Sequence, residues 1–509
     1  MVHCLVLAYP AQGHVNPMHD FSKLLQQQGV KVTLVTTFSF FKKLQNVPTC
    51  ISLETISDGF DNGGLDEAGG FKAYFERFWQ VGPKSLAELL EKLQRSGDPV
   101  HCVIYDSLFP WSLEVAKRFQ IAGASFLTQN MFVNSIYAHV HHGKLQLPIT
   151  HDQISLPFLP KLQHHDMPSF FFPTDDTYPT LLNVLVAQFS NIHQADWILW
   201  SKIGRRGSRG GRNVGEWRWH PELKALGEVE TLVRWRREMS GAAVVLVTTR
   251  GENPSVGLVH DCVASAGCKR DGDGVEFAGV LVIDSTKKIW SNLRTIGPCI
   301  TSMLLKKALG DDEDEDGATQ FNNEECMKWL NGKPKESVVY VCFGSMAVLE
   351  EEQIKEIAYG LRDSESYFVW TMRASVENKL PKDFEKRSEK GLVVEALSLG
   401  VPMVAVPCWS EQFSNAKLIE DVWKIGIRAK ADEKQIVRRE VLKHCILEIL
   451  KSERGKEVKS NVMELKALAE HAVSEEGTSH KNTLEFLNSL AASAQKHPAG
   501  AIIDTFKIK

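Results

Sequence analysis

Two residues of this sequence stand where a strand gives way to a polar turn, and both have side chains that can do acid–base chemistry. His14 lies in PAQGHVNPM (Pro10–Met18), directly after the apolar run Val2–Ala8. Asp106 ends the run His101–Tyr105, within VIYDSLFPW (Val103–Trp111). An imidazole of pKa near 6.5 can take a proton at neutral pH, and a carboxylate can hold its tautomer and stabilise its positive charge. Read singly, each has a plainer alternative. His14 fits a polar turn residue, and Asp106 fits the N-cap of a helix over Pro110–Phe119. A third polar group follows another strand. In EALSLGVPMVAVPCWSEQ (Glu395–Gln412) a helix-like segment ends at Gly400, a buried strand spans Pro402–Pro407, and Trp409, Glu411 and Gln412 come next. Open α/β sheets hold their ligands at such carboxyl ends.

The elements that must carry these groups alternate. Met18–Gln28 has helical periodicity and Val30–Thr36 is the next strand, while Trp111–Phe119 follows Asp106 as a helix. Ser337–Phe343 and Tyr367–Met372 are strands of the second half, with GSMAVLEEEQ opening a helix between them. Strand–helix alternation of this kind predicts doubly wound parallel sheets. On this pattern His14 sits in the loop after the first strand. Gly344 and Ser345 end a strand before a helix, a natural place for a phosphate or for a simple tight turn.

Composition bounds the rest. A chain of 509 residues, 43% hydrophobic and 24% charged, predicts two or more domains with ample cores. A net charge of −4 gives no reason to expect a nucleic-acid partner. Ten cysteines with no CxxC suit neither a zinc site nor a disulfide framework, which favours a reducing compartment. VHCLVLAYPA reads as a buried strand rather than a signal peptide, and no apolar run is long enough to span a bilayer. The expectation is a cytoplasmic enzyme. Asp311–Asp316 (DDEDED) reads as a solvated linker, with a domain boundary near Pro298–Gly317. The segment at about 200–286, rich in Gly, Arg and Trp and including GRRGSRGGR, has no sustained period and reads as an atypical insertion. Its Arg/Gly tract has RNA binding as a weaker reading. Within it VVLVT (Val244–Thr248) could form a strand, but a single apolar run does not make a domain.

Four motifs in order, PAQGHVNPM, VIYDSLFPW, VVYVCFGS (Val338–Ser345) and the terminal WSEQ of Ser410's segment, closely resemble plant family 1 UDP-glycosyltransferases. The likeness covers most of residues 1–199 and 287–490. It is nearest to the branch that glucosylates small phenolic and carboxylic acceptors. The resemblance implies a GT-B-like fold, two Rossmann-like domains with parallel sheets facing across a cleft. Residues 1–300 would bind the acceptor, 301–320 would link, 321–490 would bind the UDP-sugar, and 491–509 would form a tail. It implies inverting transfer from UDP-glucose, with His14 as base and Asp106 as its partner. It assigns Gly13, Thr128, Gly344, Ser345, Glu395, Trp409, Glu411 and Gln412 to the donor, with Glu395 on the ribose and Glu411 and Gln412 on the glucose. No cofactor and no metal are implied, and the expected partners are small molecules met by a monomer.

One part of the family pattern is absent. The uracil-stacking Trp, the ribose Gln and the His-Cys-Gly-Trp-Asn-Ser turn on the pyrophosphate have no counterpart before Glu395. Gly391–Val394 (GLVV) runs into Glu395, and only residues 395–402 separate it from the next strand. A parallel crossover needs roughly ten to twelve residues. The expectation is a sheet short of a strand–helix portion near residues 394 and 395. The alternative function is therefore an impaired isoform, or the product of altered splicing, that binds small molecules or regulates.

Overall fold

The computed structural model describes residues 1–42, 51–157, 159–172, 177–201, 242–247, 290, 292–297, 332–334, 336–343, 349–371, 379–381, 384, 401–474 and 476–496. The chain opens with β1 (His3–Leu7), β2 (Lys31–Thr37), β3 (Ser52–Ile56), β4 (Cys102–Asp106) and β5 (Ala122–Leu127). The short pair β6 (Gln153–Ile154) and β7 (Leu162–Gln163) is antiparallel. Next come β8 (Trp197–Trp200), β9 (Ala242–Val247), β10 (Leu293–Thr295), β11 (Val338–Cys342), β12 (Tyr367–Thr371), β13 (Met403–Ala405) and β14 (Gly426–Arg428). The helices of the first part are α1 (Gln12–Gln27), α2 (Phe38–Phe41), α3 (Leu65–Ala68), α4 (Phe71–Arg95), α5 (Trp111–Arg118), α6 (Met131–His141) and α7 (Thr177–Ala187). Those of the second part are α8 (Glu351–Asp363), α9 (Gln412–Lys417), α10 (Arg439–Lys451), α11 (Glu453–Val473) and α12 (Thr478–Lys496).

Two parallel sheets result. The first runs β10-β8-β5-β4-β1-β2-β3. All five residues of β1 and of β4 are buried, as expected where helices cover both faces of a parallel sheet. The chain leaves β1 toward β2 and β3, then restarts at β4 on the other side of β1. The reversal opens a crevice between the carboxyl ends of β1 and β4, where Leu7 pairs with Tyr105.

The second sheet, β12-β11-β9-β13-β14, corrects two sequence expectations. The run at Ala242–Val247, read as part of an insertion in the first domain, lies in the middle of this sheet. Val245 pairs with Tyr340 on one side and with Met403 on the other, both in parallel. The sheet expected to lack a strand therefore has one from far upstream at its centre. Parallel strands need long crossovers rather than sequence adjacency, so a distant apolar run can supply a central strand. GLVV, the acidic run Asp311–Asp316 and the Arg/Gly tract lie outside the described residues.

The chain also returns to the first sheet at its end. Phe486 of α12 packs 6.4 Å from Phe21 and 5.5 Å from Trp197, and Asn482 Nδ2 donates to the Thr295 carbonyl at 2.7 Å. Residues 478–496 thus pack on the first domain, although the sequence placed most of them in the second and the rest in a tail. An apolar stripe with two candidate sheets in reach carries no local sign of which one it will cover.

Candidate active site

Helix α1 begins immediately after β1 and brings His14 to the crevice. The sequence put His14 in the loop after the first strand, with helical periodicity starting only at Met18. The helix instead runs through Pro17, whose missing N–H forgoes only one bond, to Gly13 in the first turn. Gly13 and His14 are buried in that turn, and the His14 amide bonds the Ala11 carbonyl at 3.0 Å. His14 Nδ1 lies 2.6 Å from Asp106 Oδ2, with the carboxylate fully buried. Asp106 Oδ1 accepts from the Leu108 amide at 3.0 Å, which fixes the carboxylate. The two readings of Asp106 therefore combine, one oxygen ordering the turn before α5 and the other holding the imidazole. Helix α5 itself starts at Trp111, with Pro110 at its N-cap.

The contact assigns the histidine tautomer. A carboxylate can only accept, so Nδ1 carries the proton and Nε2 is the acceptor nitrogen of the neutral ring. Thr128, just past β5, sets its Oγ1 3.1 Å from the same Nδ1. Three strand ends of one sheet thus converge on one imidazole. Tyr9 meets its ring edge-on at 5.1 Å and stacks on Phe75 at 5.8 Å, with Phe109 also at 5.8 Å. The wall beside His14 is aromatic.

The polar turn after β13 is organised differently. Gln412 Oε1 accepts from the Cys408 and Trp409 amides at 2.7 and 3.0 Å. Ser410 adopts φ +60° and its hydroxyl donates to Glu411 Oε2. A non-glycine residue holds that left-handed backbone only when its surroundings fix it. Here the fixing comes from the first domain. The Ser410 amide donates to Ser169 Oγ at 2.8 Å, and the Ser169 amide donates to the Ser410 carbonyl at 3.0 Å. Phe170 meets Trp409 edge-on at 5.0 Å. Glu411 and Gln412 are buried rather than sitting at a solvated helix start.

The same first-domain segment carries a buried ion cluster. Asp166 is 1% exposed; its Oδ1 takes Arg428 Nη1 at 2.9 Å and its Oδ2 lies 3.4 Å from Lys417 Nζ. Burial works against the Lys417 ammonium, but the Asp421 and Asp166 carboxylates outweigh it and its pKa rises. Tyr137 of α6 is wholly buried and stacks on Phe171 at 5.9 Å; burial first, then the Glu411 charge, push its phenol well above the ordinary range.

Of the residues singled out from sequence, His14, Asp106, Thr128 and Gly13 gather at the first sheet, and Trp409, Glu411 and Gln412 at the second. Gly344, Ser345 and Glu395 lie outside the described residues. Sequence reasoning missed Tyr9, Asp166, Ser169, Phe170 and Arg428. Tyr9 adjoins the PAQGH motif and could have been found from it, whereas HHDMPSFF carries no period or motif that marks Asp166.

Residues 382–473 match the family model described as UDP-glucoronosyl and UDP-glucosyl transferase. A mogroside I-E synthase from Siraitia grosvenorii is 34% identical over 96% of this chain and 98% of its own length. The chain belongs to the UDP-glycosyltransferase family. A flavonol 7-O-beta-glucosyltransferase from Arabidopsis thaliana is 31% identical over 96% of this UDP-glycosyltransferase and 98% of itself. The crystal structure of Os79 from O. sativa in complex with UDP superposes with a TM-score of 0.74 at 25% identity, covering 96% of this chain and all of that one. The fold of this UDP-glycosyltransferase is accordingly GT-B, two Rossmann-like domains facing across a cleft. Among its described residues no helix is long and apolar enough to cross a membrane.

Proposed function

We propose that this chain transfers glucose from UDP-glucose to a hydroxyl or carboxyl group of a small lipophilic acceptor, with inversion. The observation that carries the reading is the buried contact of 2.6 Å between His14 Nδ1 and Asp106 Oδ2 at the crevice between β1 and β4. His14 Nε2 takes the acceptor proton as the acceptor oxygen bonds to the anomeric carbon. The bond from that carbon to the UDP oxygen breaks, and UDP leaves with the electron pair. Attack opposite the leaving group inverts the α-linked donor to a β-glucoside. Asp106 stabilises the imidazolium, and a carboxylate acceptor, already ionised, leans less on the base. The aromatic wall of Tyr9, Phe75 and Phe109 favours a flat, apolar acceptor. The names of a flavonol glucosyltransferase and a mogroside synthase among its relatives support the same class.

On the donor side the reading gives the glucose to Glu411 and Gln412, with Trp409, Thr128 and Gly13 around it. Gly344 and Ser345 take the phosphates and Glu395 the ribose. UDP-glucose is a co-substrate and no metal takes part. The protein works as a cytoplasmic monomer.

A second reading rests on a specific feature of the sequence. The residues that hold uracil and pyrophosphate in the family are absent before Glu395, and such contacts stabilise the leaving group. On that reading the chain is an impaired, small-molecule-binding isoform. Titration calorimetry with UDP separates the two. Micromolar binding supports the transferase, and no measurable heat up to millimolar UDP favours the isoform.

A further inference from the structure

The polar turn of the second domain borrows its shape from the first. Its only described backbone partner outside its own domain is Ser169, and Ser169 stands three residues after Asp166 on a segment that the second domain grips from several sides. Arg428, in β14, donates through Nη1 to Asp166 Oδ1 at 2.9 Å and through Nη2 to the His165 carbonyl at 2.8 Å. Ser414 Oγ donates to the Asp166 carbonyl at 2.6 Å, and the Gln163 amide donates to Asp166 Oδ2 at 2.9 Å. Lys417, one helical turn beyond Ser414, completes the surround at 3.4 Å.

This arrangement has a consistent direction. Ser414 and Lys417 lie on α9, the helix that starts at Gln412, and Arg428 ends the strand beside β13. Asp166 therefore ties together the helix that follows the turn and the neighbouring strand. Ser169, on the same first-domain segment, holds the left-handed Ser410 at the middle of the turn. A buried carboxylate ringed by two cations is costly to disrupt and leaves little freedom to slide.

We propose that Asp166 is a positioning residue: from the first domain it sets the Trp409–Gln412 turn of the second, and through it the side chains that read the donor sugar. The sugar part rests on the function proposed above. The positioning part does not, since it concerns only how the turn is held.

The test is hydrogen exchange on the full chain without ligand, comparing the native protein with Asp166→Asn. Amides of Cys408, Trp409 and Ser410 should exchange faster by about tenfold or more, while those of Leu5 and Ile104 in the first sheet keep their rates. Ser169→Ala, a milder change in case Asp166→Asn folds poorly, should speed Ser410 more than Cys408. Unchanged exchange at the turn, or equal acceleration everywhere, overturns the proposal, the latter because it marks a merely structural role. A second arm compares UDP-glucose with UDP-galactose. In Asp166→Asn the preference between these epimers should fall by roughly tenfold with the acceptor KM unchanged. An unaltered preference on a loosened turn overturns the link to the sugar. Absence of transfer in every form, the native one included, instead sinks the functional reading and leaves the exchange arm to decide on Asp166.

Discussion

The carboxyl end of the first sheet and that of the second carry polar groups of equal importance to the proposed reaction, yet they are held in place by different means. At the first, His14, Asp106 and Thr128 come from three strand ends of one sheet and bond to one another. At the second, the turn bearing Glu411 and Gln412 contains a left-handed serine and leans on Ser169, Phe170 and Asp166 of the other domain. His14 is thus preorganised by its own domain's fold, while the turn at Trp409–Gln412 is ordered by the pairing of domains. Where local contacts suffice, a site survives domain motion; where they do not, its geometry reports on closure.

The largest expected effect separates the two ends by chemistry. His14→Ala should lower kcat/KM for a hydroxyl acceptor by about 10³-fold, within the range of general-base contributions. The loss for a carboxylate acceptor should be clearly smaller, and equal losses for both would mean that His14 does not act as the base. Asp106→Asn should cost roughly 10²-fold, since the neutral amide no longer stabilises the imidazolium. UDP affinity measured by calorimetry should stay the same in both variants, because neither residue belongs to the second sheet.

Stability sharpens the contrast. A methyl group at Gly426 would sit 2.3 Å from the Met403 carbonyl oxygen and 2.7 Å from Ile419, a backbone contact that cannot yield. Gly426→Ala should destabilise the second domain by about 2–4 kcal/mol, read by urea unfolding. At Gly123 the nearest atom is Leu113 Cδ1 at 2.4 Å, the end of a flexible side chain. Gly123→Ala should cost under about 1 kcal/mol. A reversed order would show that the second sheet, with its central strand drawn from residues 242–247, is not tightly packed around Gly426.

The smallest effect lies at the amino end of β1, opposite the crevice. His3 is buried, with Nε2 2.9 Å from Thr33 Oγ1, and burial lowers its pKa below 6.5 despite the opposing Asp98 carboxylate. The fold therefore favours neutral His3. That contribution is present above pH 6.5 and is lost as pH falls through the depressed folded value. The melting midpoint should drop on acidification below 6.5, and His3→Gln should shrink the drop. The change should be a few degrees at most, as one kcal/mol moves a domain of this size by about 2–4 °C.

The two ends also differed in how far the sequence disclosed them. The runs ending at Ala8 and Asp106 are continuous, apolar and followed by polar residues, so the crevice and its pair were legible locally. The start of α1 was not, because Pro17 imitates a helix boundary while the buried side chains of His14, Val15 and Met18 continue one helical face. β9 was legible as an apolar run, but its partners lie about a hundred residues or more away, and non-local pairing leaves no local trace. Asp166 was invisible for the same reason, since its meaning depends on Arg428 and Lys417. Gly344, Ser345 and Glu395 keep only the roles that the family resemblance gives them.

The proposed reaction of this chain, whose two sheet ends are so differently supported, moves glucose with inversion from UDP onto a small acceptor. The most direct measurement incubates the full chain with UDP-glucose labelled at the anomeric carbon and a panel of phenolic and carboxylic acceptors, following the anomeric proton by NMR. The expected product is a β-linked glucoside that appears in step with an equal amount of UDP. An α-linked product, or UDP-glucose left intact with every acceptor, would contradict it.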